Sequence, residues 1–359
     1  MPTNFPEYRS RTVEEIVLQD LRQMQDHNGQ IITDVINVLR EKNEILQDMT
    51  FRTANWHNDS YRMHITTSLP KAWWKRYNRG VPPSKATFAQ LEETCGKLMS
   101  RSEIDAEMAE EQDSGRAYRY MQDKYHIEAL TESMAEYLFY GEKAINPEGF
   151  DGFNTRYNTL NPAEMVSKNV IDCGGKQGGN LTSIWLICWG DGVFGFHPKH
   201  TPLGITQKDE GRVHTVDENG YSIFKYMTSF SWALGLVIAD WRCVVRLCNI
   251  DLDQLRAGAA GSIGDPNVQA TGSRNLLLLM NQALGLIGRQ RTGNTHTAFY
   301  MNNDVLNLLN NLSARTNSNV VRVQNSLNDY GDHRNWGTFG GVPLRCVDRL
   351  KSQEDQVTA

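Results

Sequence analysis

Hydrophobic positions along the chain fall into three regimes. In the first, Val13, Ile16, Val17, Leu21 and Met24 recur at helical spacing. A capping box, Thr12-Val13-Glu14-Glu15, precedes them: the Thr12 hydroxyl can accept from the Glu15 amide while the Glu15 carboxylate reaches back. Asn28-Gly29 breaks the pattern, and Ile31, Ile32, Val35, Ile36 and Leu39 mark a second amphipathic helix. Both helices precede any signal of a compact domain. They are therefore read as an N-terminal arm that packs on the body or on a neighbour.

In the second regime, residues 50–90, aliphatic residues thin out. Trp56, Trp73, Trp74 and Tyr77 stand among polar and basic groups, with Pro70, Pro82 and Pro83 between them. Arg62 to Thr67 alternates like a strand. Roughly 40 residues without a core of their own are unusual inside a compact domain. Such a segment is either disordered or lies against another surface. Trp and Arg are the residues that anchor interfaces, which favours the surface.

The third regime, residues 91–359, carries the body. Residues 100–112 read as an acidic helix. A long helix is expected over 114–140, with Ala117, Met121, Ile127, Leu130, Met134, Tyr137 and Leu138 on its buried side and Gly141 as its C′ residue. At 1.5 Å per residue it spans ~40 Å. From Thr182 the period becomes two. Ser183 to Trp189, the turn Gly190-Asp191-Gly192, and Val193 to Phe196 predict a hairpin. A second hairpin joins Gly211–Val216 to Tyr221–Tyr226 across Asp217-Glu218-Asn219-Gly220, and a third strand pair is suggested by 230–237 and 243–250. After a Gly/Ala/Ser linker at 257–273 come a helix near 273–286, a buried strand at 297–302, a helix at 304–312, and a turn and strand closing at Val347.

Composition narrows the function. The 359 residues carry a formal net charge of −5, with both signs mixed along the chain. This lacks the basic footprint of a dedicated nucleic-acid binder. No apolar run reaches the ~20 residues a bilayer requires. MPTNFPEYRS has no apolar core of a secretory signal, so folding in the cytoplasm is expected. Six scattered cysteines form no C-x-x-C pair and read as free thiols.

Candidate chemistry is sparse. The glycine-rich run 174–179 holds a lysine, but it is followed by Gln and by no helix, so it reads as a surface loop rather than a phosphate cradle. His197 and His200 flank Pro198 and lack a third ligand. Asp251-Leu252-Asp253 reads as a solvated strand end, because two carboxylates alone make no acid–base couple. No catalytic residue, metal ligand or cofactor site is expected. The stretch at 73–77 could stack on single-stranded nucleic acid. A protein–protein contact explains the same residues and also the coreless segment around them.

Taken in order, these segments resemble the major capsid proteins of tailed bacteriophages with the HK-97-type fold, closest to the epsilon-fifteen-like and Bordetella-phage-like short-tailed branch. The resemblance runs through Asn55-Trp56, Ser68-Leu69-Pro70, 74–81, Leu138-Phe139-Tyr140-Gly141-Glu142 and Phe150-Asp151-Gly152-Phe153. It continues through Thr182-Ser183-Ile184-Trp185, Asp240-Trp241-Arg242, Phe299-Tyr300-Met301-Asn302 and 340–345. It implies an α+β fold with an N-terminal arm (1–49), an extended loop (50–90), a spine helix (114–140), and peripheral and axial lobes. The hairpin block (182–250) precedes the helix–strand block (273–347), the reverse of the common form, so an exchange in chain order is expected.

The implied function is a self-assembling icosahedral shell around double-stranded DNA, with an encapsulin-like cellular compartment as the alternative. Trp56, Arg62, Trp73, Trp74, Lys75, Arg76, Tyr77 and Arg79 are the expected contacts of the extended loop. Glu107, Glu110 and Glu111 of a neighbour are the expected acidic partners. Scaffolding protein, portal and a decoration protein are the implied partners. Scaffolding is expected from a separate protein or a cleaved region, because the chain starts close to the arm.

Overall fold

The structure, a computed structural model, describes residues 43–110, 112–176, 178–216, 220–260, 276–288, 290–291, 295–316, 321–327 and 333–358. The two helices expected before residue 40 lie outside the described residues. Described strands are β1 Phe51–Thr53, β2 Ser60–Ser68, β3 Thr87–Thr94, β4 Gly96–Asp105, β5 Val170–Asp172, β6 Leu181–Trp189 and β7 Val193–His197. They continue with β8 Thr206–Val216, β9 Ser222–Ile238, β10 Val244–Asp251, β11 His296–Met301, β12 Val321–Leu327, β13 His333–Phe339 and β14 Val342–Cys346. The main helices are Gln112–Tyr140, Leu252–Ala260, Leu276–Ile287 and Asn303–Thr316.

The chain divides into two compact units. The smaller comprises, among the described residues, Met99–Leu130 and Ile205–Ser231. Here β8 and β9 form the expected hairpin, in register from Val216 opposite Ser222 to Thr206 opposite Ser231. The acidic helix expected at 100–112 is strand in its first half, where β4 runs to Asp105; Ala106–Glu110 is helical as expected, and Gln112 opens the long helix. The reason lies in period two, since Ser102 and Ile104 are buried while Arg101 and Glu103 lean outward. Ile104, Met108 and Tyr118 form this unit's core, with Ala109 and Met121 packed against it.

The larger unit is built on a seven-stranded sheet in the order β12-β13-β14-β11-β6-β10-β5. β6 is an interior strand, between β11 and β10, and every one of its residues is buried. Its neighbours β10 and β11 are antiparallel to it, whereas β5 runs parallel to β10 and β14 parallel to β11. A strand buried on both faces reads as a continuous apolar run, as LTSIWLICW does.

Two expected pairings are corrected. β6 and β7 are not a hairpin: β7 pairs with β9 and, in parallel, with β1, in another sheet. Likewise 230–237 and 243–250 do not pair, because β9 ends on β7 while β10 joins β6. Short connections separate the strands in both cases, Gly190-Asp191-Gly192 in the first and 239–243 with its 3-10 turn Trp241–Cys243 in the second, and a short connection alone does not say whether the chain doubles back or crosses to another sheet. The buried charge of β10 is answered at a distance. Arg246 is 1% exposed and donates to Ser183 Oγ (3.1 Å), Tyr157 O (2.9 Å) and Glu354 Oε2 (2.9 Å).

Candidate inter-subunit surface

β2 and β3 form a two-stranded hairpin of their own, in register from Ser60 opposite Thr94 at the root to Ser68 opposite Thr87 near the tip. The strand expected at 62–67 is β2, and β3 is its partner. The root is firmly held. Asn55 brackets Arg62, donating to its carbonyl and accepting from its amide, both at 2.7 Å. Tyr61 packs edge-on to Phe194, 5.1 Å between centroids, within a core of Ala54, Phe194, Phe196 and Val237. Lys143 Nζ donates to Thr94 (2.7 Å) and Arg156 to Glu93 (2.7 Å).

Beyond the strands lies the tip, residues 69–86. The hydroxyl ladder of the strands ends at its base: the Thr67 and Ser68 hydroxyls share Thr87 Oγ1 at 2.7 Å, and the Ser84 hydroxyl donates to Lys71 O at 2.9 Å. Asn78, at φ 59°, sits in the left-handed region, which asparagine tolerates, and the Arg79 amide donates to Arg76 O at 3.3 Å. Trp73 is 54% exposed, Trp74 101% and Tyr77 100%. Lys71, Lys75, Arg76, Arg79 and Lys85 accompany them, with no acidic residue between 69 and 86. Among the described residues none of these cations meets a carboxylate. Three large aromatic side chains are thus exposed within the five positions 73–77.

The other expected contact residues are partly engaged already. Trp56 is 39% exposed and lies under the Arg62 guanidinium, 3.8 Å from the ring. Arg62 in turn pairs with Glu92, at 3.1 and 2.7 Å. Glu110 accepts from the Tyr226 hydroxyl (3.0 Å) and lies 3.6 Å from Arg212, in its own unit. Glu107 is exposed. Glu111 lies outside the described residues.

Residues given other readings have structural duties. His197 Nδ1 lies 3.0 Å from Thr201 O, and Nε2 lies 3.3 Å from Thr53 Oγ1. Asp251 is a helix N-cap rather than a solvated strand end: its Oδ1 accepts from the Asp253 and Gln254 amides at 3.0 and 3.2 Å. All six cysteines are free. Burial pushes the Cys243 and Cys248 thiols up to about 12, which keeps them protonated and unreactive. Among the described residues no group of three metal-binding side chains converges, and no helix is long and apolar enough to cross a membrane.

Sequence reasoning missed the anchors of the chain ends. Asp48 accepts two bonds from Arg345 and one from Tyr300, all at 2.9 Å, fixing the segment that leads into β1. Asn249, at φ 57° in a bulge of β10, donates to Val357 O and accepts from Val357 N, both at 2.9 Å. A charged or amide residue in an apolar run was the available signal, because such a group must find a partner.

A family model described as major capsid protein GP7 matches residues 26–358. The chain belongs to this family of major capsid proteins. Among solved structures, a chain of bacteriophage Epsilon15 matches with a TM-score of 0.71 at 23% identity, over 97% of this chain and 100% of that one. The bacteriophage JBD30 capsid matches with a TM-score of 0.47 at 12% identity, over 88% and 93%. An encapsulin from Synechococcus elongatus reaches a TM-score of 0.41 at 9% identity, over 66% and 96%. No curated protein matches the sequence. The Epsilon15 likeness gives this capsid protein an HK-97-type α+β fold, and its family is a structural one.

Proposed function

We propose that the capsid protein builds a closed icosahedral shell of hexamers and pentamers by laying residues 50–90 of each copy on the next. The observation that carries this reading is the tip, whose tryptophans enter no core among the described residues of their own chain. A contact between unlike patches of identical subunits is heterologous, and repeated about an axis it closes a ring. Trp73, Trp74 and Tyr77 are its aromatic anchors, and Lys75, Arg76 and Arg79 its cations. Residues 1–49 serve as the N-terminal arm, the long helix as the spine, and the remainder as the peripheral and axial lobes. The subunit's work is mechanical rather than catalytic.

The shell forms in the cytoplasm of a host bacterium, with a scaffolding protein, around a portal, and encloses double-stranded DNA through non-specific contacts. A decoration protein on its outside belongs to the same reading. A cellular compartment shell is less well supported, because the family match is to major capsid proteins. Negative-stain microscopy of purified full-length Trp73→Ala/Trp74→Ala protein tests the proposal. Folded subunits without particles are expected. Particles at the parent's yield would overturn it.

A further inference from the structure

The loop 142–148 leaves the long helix at the root of the β2–β3 hairpin and is pinned along its length. The Lys143 amide donates to Asp151 Oδ1 (2.9 Å), its Nζ reaches Thr94, the Asn146 amide donates to Glu142 O (2.9 Å), and the Gly149 amide donates to Asn146 O (3.1 Å). Gly149 lies so close to the Tyr137 ring that a Cβ there would fall 1.8 Å from the phenol oxygen. Gly141, whose Cβ would fall 2.5 Å from Tyr137 O, is likewise required by close backbone approach. Yet this rigid loop holds Ile145 out at 80% exposure, with Ala144 and Pro147 exposed beside it. Glu142 and Glu148 flank that apolar knob, and among the described residues neither carboxylate has an ion pair or hydrogen bond.

We propose that loop 142–148 is the seat on which the 69–86 tip of an adjacent copy docks, with Ile145 against the tip's indoles and Glu142 and Glu148 facing Lys75, Arg76 and Arg79. This rests on the reading that the tip lies on a neighbour, and it names the place. Every charge on the tip is positive and its large side chains are aromatic, whereas the loop offers two carboxylates around an aliphatic knob, its own cation, Lys143, being turned away to Thr94. Of the other exposed apolar side chains, three are less suited because each already carries a cation that would repel the tip. Lys124 lies 4.7 Å over Tyr120, Arg212 4.7 Å over Phe224, and Lys168 Nζ 3.7 Å from Met165 Sδ. Within one chain the tip stands away from its own root by a nine-residue strand, ~30 Å at 3.3 Å per residue. Tip and seat therefore meet head to tail between copies, the geometry a ring requires. A preformed seat also limits the ordering cost of association to the tip alone.

Charge reversal in the full-length chain tests the pairing. Glu142→Lys/Glu148→Lys and, separately, Lys75→Glu/Arg76→Glu/Arg79→Glu should each lower particle yield by about tenfold or more, the effect of ~1.4 kcal/mol at one contact. Both should melt as folded subunits at the parent's temperature, and Ile145→Ser should reproduce the loss without a change of charge. The five-site combination should restore particles to several-fold above either parent set. Normal assembly of the Glu142→Lys/Glu148→Lys and Ile145→Ser proteins, or no recovery in the combination, would overturn the seat while leaving the tip's role intact. Normal assembly of the tip variant would sink the tip's role and the seat with it.

Discussion

Two pairs of tryptophans in this molecule meet opposite fates. Trp185 and Trp189 on β6 are fully buried. Trp185 lies about 6 Å from the rings of Phe139, Phe153 and Tyr157, and the Trp189 indole donates to the Tyr300 hydroxyl at 2.8 Å. Trp73 and Trp74 stand in water. The side chains are the same, so the difference lies in the backbone that carries them. β6 has a strand on either edge and aromatic residues over it, whereas the tip is broken by three prolines and a glycine and is lined by cations. Indoles of the first kind hold a subunit together, and those of the second kind are available to hold subunits to one another.

This contrast can be broken from either side. The largest effect is expected in the sheet. Arg246→Met strands the Glu354 carboxylate in a dry site and should cost ~3–5 kcal/mol of folding stability in denaturant titrations. Glu354→Gln added to it should recover part of the loss. Trp185→Ala should cost a similar ~3–5 kcal/mol. Trp74→Ala should instead leave subunit stability within ~0.5 kcal/mol, while weakening each subunit contact by ~2 kcal/mol, seen as lost particles. If Trp74→Ala melts early, or Trp185→Ala proves silent, the division of labour is wrong.

Smaller effects sharpen the boundary. Arg62→Ala, at the hairpin root, removes a half-exposed ion pair and a cation–π contact, and should cost ~1 kcal/mol or less. The least effect concerns Asp123 in the smaller unit. Burial holds its carboxyl above the ordinary aspartate range, against the pull of Arg119. A folded-state pKa raised above the unfolded value gives a contribution present at acid pH and lost as pH rises through the folded value. Asp123→Asn should therefore stabilise the subunit at neutral pH. Melting temperatures of parent and variant should converge below about pH 4, near the pKa of a free aspartate.

Much of the local structure was legible. The long helix, the β8–β9 hairpin, the buried strand β11 and the coreless aromatic stretch all follow from period, turn residues and composition. What failed was pairing. Gly190-Asp191-Gly192 looked like a hairpin turn, yet its flanking strands join different sheets, because burying β6 on both edges required β10 and β11 rather than β7. Residues 100–105 read as the start of an acidic helix. Alternate burial of Ser102 and Ile104 made them strand.

The sequence by itself determined that 69–86 could not bury its indoles, because its larger aliphatic side chains are only Leu69 and Val81 and it carries five unopposed cations. Only the tertiary structure decided what lies at the far end of that hairpin. Gly141 and Gly149 permit the close backbone approach that fixes loop 142–148, and Lys143 ties it to Thr94 across 49 positions of sequence. Local preference acts over a few residues, whereas the meeting of distant segments is set by which surfaces the whole chain can bury at once.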